Sequence, residues 1–361
     1  MRKIITSPGS YIQGKDEMSK LAEHYKRLGS QGAYMIVDKF IYDTYYDIIV
    51  KSFQEQGIDY EIAIFGGECS HKEIEKHRAN LKKCDVVIGI GGGKTLDTSK
   101  AVSYYEHLPL MIVPTAASTD APCSHWVVVY TEEGEFDVYI ELPSNPNMVI
   151  MDTEVISKAP ARFLAAGIGD ALATYYEAVA CEQSNAVTFA GGHVTKAAIA
   201  LATLCRDVLF EDGLKAMEAV KAKVCTQAVE NIIEANTYLS GVGFESGGLA
   251  GAHAIHNGLT LLEECHHMLH GEKVSFGTIT QLILENRPMD EIQKVIDFSK
   301  KLGLPTTLKD LGIDQVGDEK LMEVAKASCS EDDTMGNMPF IVTPEDVLAA
   351  MKVADSIGQN I

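Results

Sequence analysis

The chain has 361 residues, of which 46% are hydrophobic and 23% are charged, a balance typical of a folded globular protein rather than a disordered or fibrous one. Its 51 acidic and 31 basic residues give a formal net charge of -20, which would repel the phosphates of nucleic acids and anionic lipids. We therefore expect neither a nucleic-acid partner nor a membrane partner. A chain of this length is also expected to divide into two domains.

Neither the N-terminus nor any later segment has the apolar length of a signal peptide or a membrane span. The eight cysteines are scattered and form no CxxC pair, which indicates reduced side chains in a protein of a reducing compartment. We expect a cytoplasmic protein.

The first part of the chain alternates short β-rich runs with helical patterns, which is typical of βαβ units around a largely parallel sheet. Strands are expected at 33–37, 60–65, 85–90 and 110–113, and helices at 72–83 and 96–105. The runs 126–130 and 135–141 flank Glu132-Glu133-Gly134 and predict a hairpin.

From about Pro160 the chain becomes rich in Ala, Leu, Glu and Lys at helical spacing, which predicts helices over 161–190, 196–209 and 215–236. The expected fold is therefore an α/β, Rossmann-like N-terminal domain over residues 1-158 and an all-α C-terminal domain over residues 159-361. Small ligands usually bind in the cleft between two such domains.

A glycine-rich loop lies within residues 85–97, where an apolar strand runs through Gly91-Gly92-Gly93 into a helix. Glycines let backbone N–H groups approach a phosphate closely, and a helix N-terminus favours negative charge. The P-loop and GxGxxG spacings both fail, because Ile88 and Lys94 stand where each motif needs a glycine. A tight turn without a ligand is the alternative, but three successive glycines favour a pyrophosphate site.

Asp38 follows the predicted strand 33–37, where a carboxylate can accept hydrogen bonds from ribose hydroxyls and disfavour a 2′-phosphate. This position favours NAD over NADP. The same residue could equally be a turn or cap residue.

A metal site is indicated by one acidic residue and two histidine-rich segments. Asp170 stands at the predicted start of an apolar helix, where it could also be only an N-cap. Segments 247–258 and 266–272 hold five of the chain's 11 histidines. A single histidine is usually a core residue, but one carboxylate and two imidazoles make a divalent-metal site with an open position. Zinc there would lower the pKa of an alcohol and prepare it to release hydride.

With these motifs, the chain resembles the glycerol dehydrogenases, within the wider superfamily of iron-containing alcohol dehydrogenases and dehydroquinate synthase-like enzymes. The resemblance covers nearly the whole chain. It rests on residues 7–9 with 11–14, residues 91–97, residues 114–122, Asp170 and the two histidine segments.

The resemblance implies oxidation of glycerol to dihydroxyacetone, or of related vicinal diols, with NAD and a zinc ion in the cleft of a dehydroquinate synthase-like fold. It implies Asp170, His253 and His270 as metal ligands and catalytic residues, with His256 a neighbour rather than a ligand. It also implies a homo-oligomer such as an octamer. The positions that match the family's cofactor contacts are Asp38, Gly93, Lys94, Asp97, Thr115, Ser118, Ser124, Trp126 and Tyr130.

Asp120 falls on the family's polyol-contacting position. Its carboxylate can accept a hydrogen bond from a second substrate hydroxyl and would repel a phosphate ester, which favours vicinal diols. Without the resemblance, Asp120 would be interpreted as a turn residue.

Two positions depart from related patterns. Trp126 stands where glycerol dehydrogenases commonly have a smaller aliphatic residue, which could shift the preferred diol. Thr174 stands where the four-ligand iron alcohol dehydrogenases have a histidine, which favours zinc over iron.

Three alternatives remain open. Another polyol or phosphopolyol dehydrogenase of the superfamily would use the same site, and so would a dehydroquinate synthase-like lyase. The lyase needs basic residues for its anionic substrate, and residues 115–124 and 253–270 contain no Lys or Arg. A non-catalytic protein that binds NAD and metal is less favoured, because the three-ligand set is intact.

Overall fold

The computed structural model describes residues 1–313 and 316–360. In this part of the chain there are eight strands and fourteen α-helices. The strands are β1 (Tyr11–Gly14), β2 (Ala33–Val37), β3 (Tyr60–Ile64), β4 (Val86–Gly91), β5 (Leu110–Pro114), β6 (Trp126–Tyr130), β7 (Phe136–Glu141) and β8 (Met148–Asp152). The helices are α1 (Leu21–Tyr25), α2 (Lys39–Glu55), α3 (His71–Asn80), α4 (Gly93–Glu106), α5 (Thr153–Lys158), α6 (Ala161–Ser184), α7 (Lys196–Lys221), α8 (Gln227–Glu234), α9 (Ser240–Gly247), α10 (Gly251–Leu259), α11 (His270–Leu284), α12 (Met289–Leu302), α13 (Asp318–Ser328) and α14 (Pro344–Asn360).

Six strands form one parallel sheet in the order β1-β8-β5-β4-β2-β3. Successive side chains point to opposite faces, so Tyr34 and Ile36 join one core while Met35 and Val37 join the other. Both faces of a parallel sheet are normally covered, and the buried apolar strands reflect this. The expected parallel sheet and the separate β6–β7 hairpin are both confirmed.

Beyond Pro160 the described residues form helices, as expected. Helix α6 lies at the centre of this half and packs against α7, α9 and α11. One hydrophobic core extends from the sheet into these helices. No helix in the described residues is both long enough and apolar enough to cross a membrane.

A π-helical turn, Ala235–Leu239, joins α8 directly to α9. Such turns contain one extra residue and are frequent at functional sites. Here the turn places the buried Asn236 so that its side chain donates to the carbonyl oxygens of Ala117 (2.9 Å) and Leu164 (3.2 Å). It thereby ties the helical half to the loop that follows β5.

Several local predictions were wrong. The helix expected over 215–236 is broken, because α7 ends at Lys221 and Lys223 adopts a left-handed φ of 60° before α8 begins. The helix expected over 161–190 ends at Ser184. Strands β1 and β8 and helix α2 were not predicted.

The proposed boundary between residues 158 and 159 coincides with the end of α5. The first residues of the chain nevertheless pack on the helical half. The Thr6 backbone N–H donates to Ser246 Oγ (3.1 Å), and the Thr6 hydroxyl donates to Glu245 Oε2 (2.7 Å).

Candidate metal centre and cofactor cleft

Asp170, His253 and His270 converge on one point between α6, α10 and α11. Asp170 Oδ1 lies 3.3 Å from His253 Nε2 and 3.1 Å from His270 Nε2. One ligand atom from each residue lies within 4.8 Å of the other two. Asp170 is fully buried, whereas the His270 side chain is 37% exposed, so the cluster is open on one side.

Glycines allow these helices to approach each other closely. A Cβ on Gly169 would lie 2.5 Å from the carbonyl oxygen of Gly271, and one on Gly271 would lie 1.8 Å from that of Ala166. The backbones at this crossing therefore exclude any side chain. His270 is the first residue of α11, so the same contact brings it beside Asp170.

Asp170 lies in the interior of α6, which corrects the prediction that it begins a helix. The neighbouring glycines serve close packing, because a Cβ on Gly167 would lie 2.0 Å from the carbonyl oxygen of Ala117.

Glu177 holds the second nitrogen of His253. Its Oε2 lies 2.6 Å from His253 Nδ1, and its Oε1 accepts the backbone N–H groups of Ala250 (2.8 Å) and His253 (2.9 Å). Glu177 follows Asp170 by seven residues, or about two helical turns, so both face the same side of α6. This i,i+7 pair of acidic residues was the available sequence signal, and it was missed.

Electrostatics hold the cluster in a charged form. Burial opposes the charge of Asp170, but His270 and His253 outweigh it and hold the pKa of this carboxyl below its usual range. Burial likewise opposes a charged His253, but Glu177 and Asp170 raise its pKa well above the usual value. The site therefore attracts positive charge, whether a proton or a metal ion.

Asp120 lies directly beside this cluster. Its backbone N–H donates to Asp170 Oδ2 (3.3 Å), and its Oδ2 accepts the Ser240 hydroxyl (2.6 Å). Ser240 Oγ also lies 2.7 Å from Thr174 Oγ1. Burial, and then the charge of Asp170, raise the pKa of Asp120 well above its usual value.

The predicted phosphate loop lies at the carboxyl ends of the parallel strands, where open α/β sheets bind ligands. A Cβ on Gly92 or Gly93 would meet no atom within 4 Å, so open space lies at the N-terminus of α4. Asp38 caps α2, with Oδ1 accepting the backbone N–H of Phe40 (2.9 Å). Asp38 is therefore an N-cap residue, and it lies beside Gly91 of the phosphate loop.

The other predicted cofactor residues lie at the start of α4 and between the end of β5 and the end of β6. Lys94 Nζ lies 2.5 Å from Glu68 Oε2 and 5.1 Å from the centre of the Tyr130 ring. Thr115 and Ser118 are partly buried in the loop after β5. Ser124 is buried, and its hydroxyl accepts the backbone N–H of Trp126 (3.2 Å).

Asp97 points into the protein rather than towards the open space. Its carboxylate accepts the backbone N–H of Val128 (3.1 Å) and lies 3.2 Å from Nζ of the fully buried Lys100. Lys100 also donates to the carbonyl oxygens of Ala121 (2.8 Å) and Trp126 (3.0 Å). This ammonium therefore fixes the loop between Asp120 and Trp126, a role that helical spacing could not reveal.

Trp126 begins β6 and contacts Phe189 and Tyr139 edge to face. Its indole Nε1 is buried without a hydrogen-bond partner among the described residues. A buried donor of this kind has a free-energy cost unless a ligand satisfies it.

Comparisons with known proteins show which family this chain is related to. The family model of iron-containing alcohol dehydrogenases matches residues 8–153. A glycerol dehydrogenase of Escherichia coli is 55% identical, with 100% of this chain and 98% of the relative covered. One of Citrobacter freundii is 52% identical, with 100% and 99% covered.

A solved structure shows the same relationship. The crystal structure of glycerol dehydrogenase from Schizosaccharomyces pombe superposes with a TM-score of 0.96 at 40% identity, covering 99% of this chain and 92% of the other. Because this similarity extends over the whole chain, the protein belongs to the glycerol dehydrogenase family of the iron-containing alcohol dehydrogenases.

Proposed function

We propose that this protein oxidises glycerol, and related vicinal diols, with NAD⁺ as the acceptor, and that glycerol yields dihydroxyacetone. The observation that carries the proposal is the position of Asp120 beside the Asp170–His253–His270 cluster. A metal-binding group and a carboxylate that can recognise a second hydroxyl are thereby placed side by side.

The donor set fits zinc. One carboxylate and two imidazoles leave a coordination position open, and Glu177 and His256 contact the outer nitrogens of the two histidines. Thr174, which replaces the fourth ligand of the iron enzymes, is instead within hydrogen-bonding distance of Ser240. When bound, zinc would supply Lewis acidity that lowers the pKa of an alcohol, and the nicotinamide of NAD⁺ would supply the hydride acceptor.

The chain's own residues would bind and orient the reactants. Asp120 would accept a hydrogen bond from the neighbouring hydroxyl of a diol, which a simple alcohol lacks. The amides of Gly92 and Gly93 at the start of α4 would face the pyrophosphate, with Lys94 as a counter-charge. We assign the remaining cofactor contacts to Asp38, Thr115, Ser118, Ser124, Trp126 and Tyr130. Asp97 is left out of this assignment because its carboxylate pairs with the buried Lys100.

The finer organisation is also part of the proposal. We propose a dinucleotide-binding domain over residues 1–158, a metal-binding domain over residues 159–361, a homo-oligomer such as an octamer, and a cytoplasmic location. The family resemblance supports the oligomer, and the eight cysteines, none of which is paired in a disulfide, support the location. Light scattering of the purified protein tests the oligomeric state.

The deciding experiment follows NADH formation with glycerol, 1,2-propanediol and a simple primary alcohol. It is run on the purified protein, after chelation, and after zinc is added back. We expect activity that prefers diols, disappears with chelation and returns with zinc. Metal-replete protein that forms no NADH from any diol would overturn the proposal and favour a lyase, whose redox cycle releases none.

A further inference from the structure

The outer nitrogen of His270 faces a second histidine. His270 Nδ1 lies 3.0 Å from Nε2 of the buried His256, and the two rings meet edge to face with centroids 4.2 Å apart. A neutral imidazole carries one N–H and one lone pair, so one of these nitrogens must donate and the other accept. The direction of this bond decides which nitrogen of His270 can bind a metal.

Two further residues fix that direction. The Asn257 amide donates from Nδ2 to both oxygens of Asp333, at 3.2 and 3.0 Å. Because an ionised carboxylate only accepts hydrogen bonds, Asp333 turns the amide so that Oδ1 faces His256 Nδ1, 2.9 Å away. Nδ1 of His256 must then carry the proton, and its Nε2 accepts from His270 Nδ1.

We propose that Asp333, Asn257 and His256 form a hydrogen-bond relay that holds His270 in the tautomer whose Nε2 lone pair faces Asp170 and the metal. The inference rests on the metal site of the proposed function. It assigns a positioning role to Asp333, which touches none of the ligands, and to two residues between it and His270.

The start of the relay is itself anchored. Asp333 Oδ1 accepts the backbone N–H of Thr334 (2.6 Å), and the Thr334 hydroxyl donates to the carbonyl oxygen of Ala250 (2.7 Å). Ala250 immediately precedes α10, the helix that carries His253, His256 and Asn257. The origin of the relay is therefore anchored to the N-terminal end of the helix that carries its two middle members.

The two histidine ligands are thus oriented by different carboxylates. Glu177 contacts His253 directly, whereas Asp333 acts on His270 through an amide and an imidazole. Outer partners of metal-binding histidines typically change metal affinity by about 10–100-fold when removed. We expect loss of the relay to lower zinc affinity within this range.

The test measures zinc affinity by competition of the zinc-loaded protein with a chromophoric chelator. His256→Phe removes the acceptor and should lower zinc affinity by about 10–100-fold. His256→Gln can present a carbonyl oxygen to His270 Nδ1 and should recover most of that loss. Asp332→Ala removes a neighbouring exposed acidic residue and should leave the affinity unchanged.

A double-variant cycle separates the relay from a merely structural role. Asp333→Ala should lower zinc affinity in the unmodified chain but cause no further loss in the His256→Phe background, because the relay is already broken there. Full additivity, or a His256→Phe variant with unchanged affinity, would overturn the relay. If His256→Phe does not fold, Asn257→Leu takes its place in the cycle with the same expectations.

Failure of the relay and failure of the proposed function give different results. If the protein binds zinc but reduces no NAD⁺ with diols, the proposed function is refuted. The zinc affinities of the variants then still show whether the relay exists. If the protein is active but its zinc affinity is unchanged by substitution of His256 and Asp333, the relay alone is refuted. Unmodified protein that binds no zinc refutes both.

Discussion

Glu177 and His253 form a buried pair in which Oε2 of the carboxylate lies 2.6 Å from Nδ1 of the ring. In Glu177→Gln, the two backbone N–H groups should retain the amide oxygen and leave the NH₂ group facing Nδ1. The ring proton would then move to Nε2, which faces Asp170. We expect zinc affinity to fall by about 10–100-fold.

Metal content after dialysis against a chelator measures this loss. The matched control is Glu182→Gln, an exposed position further along α6, which should retain zinc. Equal zinc retention in the two variants would mean that Glu177 does not orient His253.

Asp120→Asn tests diol recognition. A bound zinc ion should keep the Asp120 carboxylate ionised, and Asn replaces this charged acceptor by a neutral one. A hydrogen bond to a charged group contributes about 1.5–3 kcal/mol and a neutral one about 0.5–1.5 kcal/mol, so kcat/KM for glycerol should fall by roughly five- to tenfold. The value for a simple primary alcohol, which has no second hydroxyl, should fall much less. Steady-state kinetics of zinc-loaded protein with both substrates check this, and an equal loss for both would exclude a selective contact.

Gly93→Ala tests the phosphate loop. The added methyl group meets no protein atom within 4 Å, so the fold should tolerate it. It would enter the space assigned to the pyrophosphate, and we expect KM for NAD⁺ to rise about tenfold with little change in melting temperature. Gly317→Ala, at an equally open glycine that precedes α13, is the control. An unchanged KM in Gly93→Ala would place the cofactor elsewhere.

Lys100→Met tests the buried ammonium that fixes the loop between Asp120 and Trp126. The substitution leaves the buried Asp97 carboxylate without its cation, and we expect the free energy of unfolding to fall by about 3–5 kcal/mol. Adding Asp97→Asn removes the unpaired charge but keeps an acceptor for Val128, so the double variant should be more stable than Lys100→Met alone. Urea unfolding measures both, and a double variant less stable than the single one would contradict this account.

His77 should make stability depend on pH. Burial lowers its pKa below the usual 6.5, although Glu73 acts in the opposite direction. The unfolded chain therefore binds a proton at a higher pH than the folded chain does. The stabilisation is complete above the unfolded pKa and is lost as the pH falls from there through the folded pKa.

His77→Gln removes this titration while keeping a group that can hydrogen-bond Glu73. Between about pH 7.5 and pH 5.5, the unmodified protein should lose more unfolding free energy than the variant. Urea unfolding at several pH values gives the difference. Parallel curves would show that His77 does not contribute.

The elements predicted correctly were those with strong local patterns. Strands such as β2 and β5 are short apolar runs bounded by turn residues, and such runs can be recognised from the sequence alone. Helix α2 was missed because its tyrosines, isoleucines and valine favour strands as much as helices. Strand β1 is only four residues long and is defined by pairing with β8, more than 130 residues later.

The site was predictable where residue type determined the role and unpredictable where packing did. The carboxylate and the histidine segments suggested a metal, and the family resemblance identified its three ligands. The roles of Glu177 and Lys100 depend on which helix or loop lies against α6 and α4. Asp333 lies 63 residues beyond His270 along the chain, so only the folded chain places it near the cluster.

In the π-helical turn at Ala235–Leu239, the number of residues matters as much for the cleft as their chemistry does. Loss of one residue from this turn would restore a regular helix and rotate everything after it by about 100°. Ser240 would turn away from Asp120, and Glu245 would turn away from His125, although every side chain remained present. A single-residue deletion in this segment should therefore damage the cleft more than most substitutions in it.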